Sequence, residues 1–534
     1  MWKRNLLFIG LILAGSAGLL GILFSPLNAS RPEKRPLRAL PPADFQPTVQ
    51  EVNRQFQRQW ASGNLTAALP AEQLALARRL SLALTGTIPS LEEIRRFEAE
   101  PAAQRMDYWL AGIFADRRYA DYLGERLARA FVGTEDGPFL VFRRRRFVSW
   151  LSDQVLQNRP YDQIVRELVA DEGLWTDQPA TNFVSVTIEP DKGPNPERLA
   201  ARVSRAFLGI RLDCAQCHDH PFQQWKQADF QGLAAYFGQV HQGFTGIYNG
   251  QGEFKAKKHK RTEEEAIAPR VPFDSNLLPA EGSRRERLAR WLTHPQNPHL
   301  ARVTVNRFWA RLFGRPLVEP LDDLGSIPEL PPVLNQLAAD FVAHGYDLQR
   351  LIRIIAATEV FQLDSAVLPE PTPEHEKLWA VYPVTRLRPE QVAGAVTQAS
   401  SVETLDRATN VVTRFINAID ENDFIKRYGD IGEDEFDGHA GTIPQRLLLM
   451  NGKLVSDKTE EGLFNAANLI SGLAPDDRSA VEATFLTVLT RRPTPAESDH
   501  FAPQLTGTKG DERSRRLRDL FWTLINSTEF SWNH

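Results

Sequence analysis

Apolar residues recur at helical spacing along most of the chain. The stretch 71–84, AEQLALARRLSLAL, carries leucines at helical spacing, such as Leu76, Leu80 and Leu84, and Thr85-Gly86 stops it. Ser90-Leu91-Glu92-Glu93 follows as a capping box that opens the next helix. The same period predicts helices over 105–114, 119–131, 144–156, 161–170, 196–210 and 224–237 in the first half. In the second half it predicts helices over 283–292, 300–313, 331–344, 348–357, 389–400, 444–449, 453–469, 478–489, 495–501 and 513–527. The region 372–387 resets the chain, and 405–441 is polar and acidic with weak periodicity. Strands are expected to be few and short, with Val184–Ile188 one candidate. The fold class expected is mainly α: two helical domains after an N-terminal membrane-spanning or signal helix.

The breaks in the pattern divide the chain. Residues 5–24 form an uncharged apolar run behind Lys3 and Arg4. As a helix this run covers about 30 Å, enough to span a bilayer. Residues 1–29 are therefore read as a signal-anchor or signal peptide. The length of the run favours the uncleaved anchor, although Leu27-Asn28-Ala29 offers a small-residue cleavage site. Arg31, Lys34, Arg35 and Arg38 lie just beyond the span and oppose the orientation that Lys3 and Arg4 favour. The expectation is a single-pass cell-membrane protein with the bulk of the chain exported to the periplasmic side. Residues 30–46 form a proline-rich linker. A first domain is expected over 47–242, an exposed Gly-, Lys- and Glu-rich linker over 243–270, and a second domain over 271–534.

Composition alters this picture little. Of 534 residues, 42% are hydrophobic and 24% charged, with a formal net charge of −4. No global basic excess points to nucleic acid. Two cysteines are too few for a disulfide framework. The basic run Arg143–Arg146, flanked by Phe142 and Phe147, reads as a solvated or salt-bridged helix start rather than a phosphate or lipid contact.

The chemistry concentrates in Cys214-Ala215-Gln216-Cys217-His218, continuing into Asp219-His220-Pro221-Phe222. This is the C-x-x-C-H spacing of covalent c-type haem attachment. Two thioethers need two cysteines on one turn, and the following histidine supplies the proximal axial ligand. Cys214, Cys217 and His218 meet that demand, with His220 as the alternative iron ligand. Phe222, Trp225, Phe230, Tyr236 and Phe237 lie close enough in sequence to wall a haem or simply to pack a core. For a sixth ligand, Met106, Met450, His241 and His259 are candidates without further support. Three other readings stay open: a Cys214–Cys217 disulfide, a metal site built from Cys214, Cys217, His218 and His220, and inert thiols. An acid/base pair of Asp219 and His220 in a hydrolase acting on polysaccharide is weaker, because no nucleophile motif accompanies it.

The stretch AFLGIRLDCAQCHDHPFQQWKQADFQGLAAYF resembles the signature of the planctomycete-type cytochrome-like domain of unknown function. RRLSLALTGTIPSLEEIRRF (78–97) and NRPYDQIVRELVADEG (158–173) resemble earlier blocks of that domain. VTVNRFWARLFGRPLVEPLDDLG (303–325) and HGYDLQRLIRIIAATEVFQ (344–362) resemble the planctomycete-specific domain of unknown function that follows it. GTIPQRLLLMNG, LTRRPTPAES and DLFWTLINSTEF resemble its later blocks. Cys214, Cys217, His218, Asp219, His220, Pro221 and Phe222 match the first signature, and Asn306, Arg307 and Trp309 match the second. Gln223 departs from an Asp common there, and 130–137 departs from a Leu-Asp-x-x-Arg-Tyr block. The resemblance implies an exported, membrane-tethered protein with redox or sulfatase-like protein partners. The functions expected are haem c for electron transfer or, alternatively, a cell-surface scaffold or binding protein held by a disulfide or metal.

Overall fold

The helix Pro298–Phe313 is the axis of the larger core. All but three of its side chains are buried, so its apolar stripe wraps the full circumference. It packs on the helices Gln73–Thr85, Pro332–Ala343 and Leu348–Ala357 and on the turn Ser204–Leu208. Trp309 stacks on Phe313 at 4.4 Å and meets Trp379 edge-on at 5.3 Å. Two polar members of this helix bond to backbone within the core. Asn306 Nδ2 donates to Val318 O at 2.7 Å, and Val318 N donates to Asn306 Oδ1 at 3.0 Å. Arg307 donates to Ala206 O at 3.2 Å. The motif of Asn306, Arg307 and Trp309 therefore builds the core.

The computed structural model describes residues 42–134, 142–257, 264–368, 370–406, 411–429, 442–459 and 465–534. The architecture is mainly helical, as the periodicity predicts. The expected span at 5–24 lies outside the described residues. Among the described residues no helix is long and apolar enough to cross a membrane.

Local signals account for many helix ends. Ser90 and Glu93 form the predicted capping box. Gly86 and Gly314 close their helices in the left-handed conformation. Arg144 donates to Gly133 O and pairs with Glu125 at 2.8 Å, as expected for a salt-bridged helix start.

Several elements differ from the pattern. Helix begins at Pro42, inside the stretch read as linker, because Phe45 and Val49 already bury against the core. Val184–Ile188 is not a strand. Asn182–Ser185 is a helical turn, and only Ile188–Glu189 pairs, with Gly193–Pro194. Asn182 Oδ1 accepts from Arg143 N at 2.9 Å and fixes that turn. The stretch 243–270 is not featureless. Val240–Gly243 pairs with Gly246–Asn249, and Lys255–Lys257 with Glu264–Ala266. Within 405–441 a helix spans Val411–Tyr428 and buries Phe424 and Tyr428.

The hydrophobic cores divide the chain elsewhere than the linker does. One core runs from Phe45 to Tyr382 and takes in Leu486. The other holds residues from Leu387 to Phe530 together with Leu82 and Ile88 from the front of the chain. The helix Gln73–Thr85 thus serves both. Its two arginines tie them together. Arg79 is 1% exposed and donates to Phe361 O, Leu363 O and His534 O. Arg78 donates to Val488 O and Phe530 O. Across the same seam Glu390 takes Arg126 at 3.0 Å, and Arg388 at the start of its own helix joins it at 2.9 Å. Gly394 lies so close to Gly86 O that a Cβ there would stand 2.6 Å from it, which explains glycine at this helix crossing.

Candidate functional site

The chain reaches the motif through a change of helix type. Pro196–Val203 is α-helix, Ser204–Leu208 widens to a π turn, and Gly209 ends it in the left-handed conformation at φ 62°. A Cβ on Gly209 would press on Val303 at 3.2 Å, so this close approach to the central helix favours glycine. Leu212–Ala215 is a 3₁₀ turn that buries Leu212 and Ala215. That leaves Cys214 and Cys217 exposed on either side, both as free thiols.

Hydrogen bonds fix the two histidines differently. His218 Nδ1 lies 2.7 Å from Asp219 O. Facing a carbonyl, that nitrogen carries the proton and donates it, which leaves the lone pair on the exposed Nε2. His220 Nδ1 accepts from Phe222 N at 3.2 Å and Gln223 N at 3.0 Å. In the neutral ring its Nε2 therefore carries the proton, and His220 braces the loop. Asp219 Oδ1 accepts from Gln227 N at 2.9 Å and starts the helix Gln227–Ala234. Asp219 and His220 thus face separate backbone donors and form no acid/base dyad.

The loop is pinned to the second half of the chain. Arg211 pairs with Asp322 at 2.8 Å, and Gln223 Nε2 donates to Asp323 Oδ2 at 2.8 Å. Arg205 pairs with Asp213 inside the turn. Gln223, where the resemblance expects Asp, is suited to this contact because an Asp would set two carboxylates face to face. Trp225 O accepts from His220 N at 2.8 Å, while the indole is buried against Phe273 and Gly325.

The donor set suits covalent haem attachment: two exposed thiols, and an imidazole whose Nε2 is bare. The surroundings expected of a haem are only partly present. Trp225, Phe230, Tyr236 and Phe237 are core residues, and Phe222, 92% exposed, is the free aromatic of the five. Met106 packs against the first core and Met450 sits on a helix of the second. His241 Nε2 meets Gln251 O at 2.8 Å, and His259 lies outside the described residues. Among the described residues no three His, Cys, Asp or Glu side chains gather as a metal-ion site. Cys214, Cys217, His218 and His220 therefore do not converge as a zinc tetrahedron.

Two clefts adjoin the region. One, about 450 Å³, runs beside the motif and is lined by Glu197, Gln216 and Gln227. The other, about 720 Å³, lies behind the loop and includes His299, Arg302 and Gly325. Sequence reasoning passed over His299 and Arg302; the Asn297-Pro298 helix start was their one local signal.

No curated protein and no solved structure matches the chain. Residues 51–242 match the family model PSCyt2, a protein of unknown function (DUF1549). Residues 284–423 match PSD1, a protein of unknown function (DUF1553). The motif lies in the first match, and its anchors Asp322 and Asp323 lie in the second. The chain is thus a two-domain protein in which a PSCyt2 domain is followed by a PSD1 domain.

Proposed function

We propose that Cys214–His218 is an attachment turn for covalent c-type haem in an exported, membrane-anchored protein that passes electrons to a redox partner. One observation carries this reading: the Nδ1–H of His218 is held by Asp219 O while both thiols on the same turn stand exposed. Cys214 and Cys217 would form the thioethers, and His218 Nε2 would be the proximal ligand. When bound, such a haem supplies a one-electron iron couple. The Asp219 carbonyl orients the imidazole and raises its basicity. Arg211–Asp322 and Gln223–Asp323 hold the turn while its outer face stays accessible to a partner. Phe222 is the apolar side chain available to shield the group. The apolar run 5–24 would anchor the chain.

The test is expression of the full-length chain with cytochrome c maturation machinery, followed by a haem stain on a denaturing gel and intact mass. A stainable band with a haem-mass adduct is expected, and Cys217→Ser should shift the pyridine haemochrome band to that of a single thioether. A haem-free chain overturns the proposal. Its mass and metal content would then identify a disulfide or a bound metal ion. For anchoring, deletion of residues 1–29 should release the chain from membranes, and an unchanged distribution refutes the anchor.

A further inference from the structure

The cleft of about 720 Å³ behind the motif has a polarity that the fold itself leaves unanswered. One wall is the first turn of the Pro298–Phe313 helix, carrying His299 and Arg302. The facing wall includes Leu324, Gly325, Ile327 and Asn335.

Arg302 is the cation of this cleft. Its Nε donates to Asn335 Oδ1 at 2.8 Å, which orients the guanidinium and leaves its two terminal nitrogens for other acceptors. Burial depresses its pKa, and no carboxylate offsets that effect. Glu329 also lines the cleft but forms no ion pair with it. The N-terminal end of a 16-residue helix adds positive potential at the same place.

His299 supplies an acceptor. Its Nδ1 faces Leu208 O at 3.2 Å, and its ring stacks on Phe273 at 4.3 Å. Burial lowers its pKa to about 4, so the ring is neutral at physiological pH. With the proton on Nδ1, Nε2 is a fixed lone pair with no partner among the described residues. An oriented guanidinium with open terminal nitrogens and an open imidazole acceptor on one wall of the cleft define the groups a ligand would carry.

We propose that this cleft binds a small hydroxylated carboxylate. The carboxylate takes the guanidinium of Arg302, for which a two-oxygen planar anion is the natural complement. A hydroxyl group of the same molecule donates to His299 Nε2. A neutral polyol lacks the first contact, and a simple oxyanion lacks the second. The cleft volume lies within the range of small-molecule sites.

The test is calorimetric titration of the full-length chain with gluconate, propionate, glucose and inorganic sulfate. Gluconate should bind most tightly. Arg302→Gln should weaken it by about 10- to 100-fold, the effect of losing charge-assisted hydrogen bonds. His299→Phe keeps the stacking on Phe273 and should weaken gluconate binding while leaving weak propionate binding unchanged. Circular dichroism checks that both variants fold. No gluconate binding to the wild type, or equal binding to a folded Arg302→Gln chain, overturns the proposal. Sulfate or propionate binding as tightly as gluconate overturns the hydroxyl-acceptor assignment.

Discussion

Replacing Arg79 with Met should be among the most destabilising single changes in this chain. The side chain is 1% exposed and carries a full charge. Burial lowers its pKa to about 10, so the cation persists at neutral pH. It donates to Leu363 O at 2.8 Å and to Phe361 O and His534 O at 2.9 Å, and lies over the face of Tyr382 at 3.6 Å. Methionine fills similar space but donates nothing. The buried Phe361 and Leu363 carbonyls are then left without donors, at about 1–3 kcal/mol each. Loss of the cation–π contact adds about 2 kcal/mol. Relief from burying a charge returns several kcal/mol. The net expectation is a loss of about 3–5 kcal/mol. Arg79→Lys keeps the charge but not the planar fork, and should recover less than half of that loss. The neighbouring Arg78→Met should cost less, because its bonds to Val488 O and Phe530 O are longer, at 3.2 and 3.3 Å. Urea unfolding of the full-length chain followed by circular dichroism measures all three. Arg79→Met within about 1 kcal/mol of wild type, or Arg79→Lys equal to it, would refute the reasoning.

Two further stability predictions follow from the same geometry. Glu390 has a carboxylate held down to about 2 in pKa by the Arg126 and Arg388 guanidinium groups, which outweigh its burial. The folded value is thus below the unfolded one, so its contribution is complete above about pH 4.5 and is lost as pH falls towards 2. Glu390→Gln should lower stability at pH 7 and flatten its decline in that window, and a decline of unchanged steepness in a pH series of unfolding curves would count against this. Asn306→Ala removes both bonds to the Val318 backbone and leaves a buried N–H and C=O unpaired. A loss of about 2–4 kcal/mol is expected in chemical denaturation, and a near-neutral result would show that water or a shifted loop replaces the side chain.

The helices were legible because their signals are local. Ser90 and Glu93 lie three residues apart, and the leucines of 74–84 repeat on a short period. Val184–Ile188 was misread because a short apolar run fits strand and buried helix equally, and the deciding contact, Asn182 with Arg143, is distant in sequence. The cysteines and His218 could be singled out by spacing alone. The bare Nε2 of His218 could not, since it depends on where one carbonyl points. The core role of Phe230, Tyr236 and Phe237 was equally hidden, because proximity in sequence does not reveal which face a side chain takes. The cleft at His299 and Arg302 draws its walls from residues 55, 299–302 and 324–336, and no local pattern spans such a distance.

The placement of Leu82 and Ile88 in the second core sets a timetable for the growing polypeptide. These residues leave the ribosome early, yet the partners that cover them begin at Leu387. The first core likewise waits for Tyr382. The first matched segment cannot complete its core until residues of the second are made. A nascent chain paused after residue 270 would present the bed of the Pro298–Phe313 helix to water. Complete burial of this apolar surface therefore waits until late in synthesis, and surface left open before then is the kind that favours aggregation.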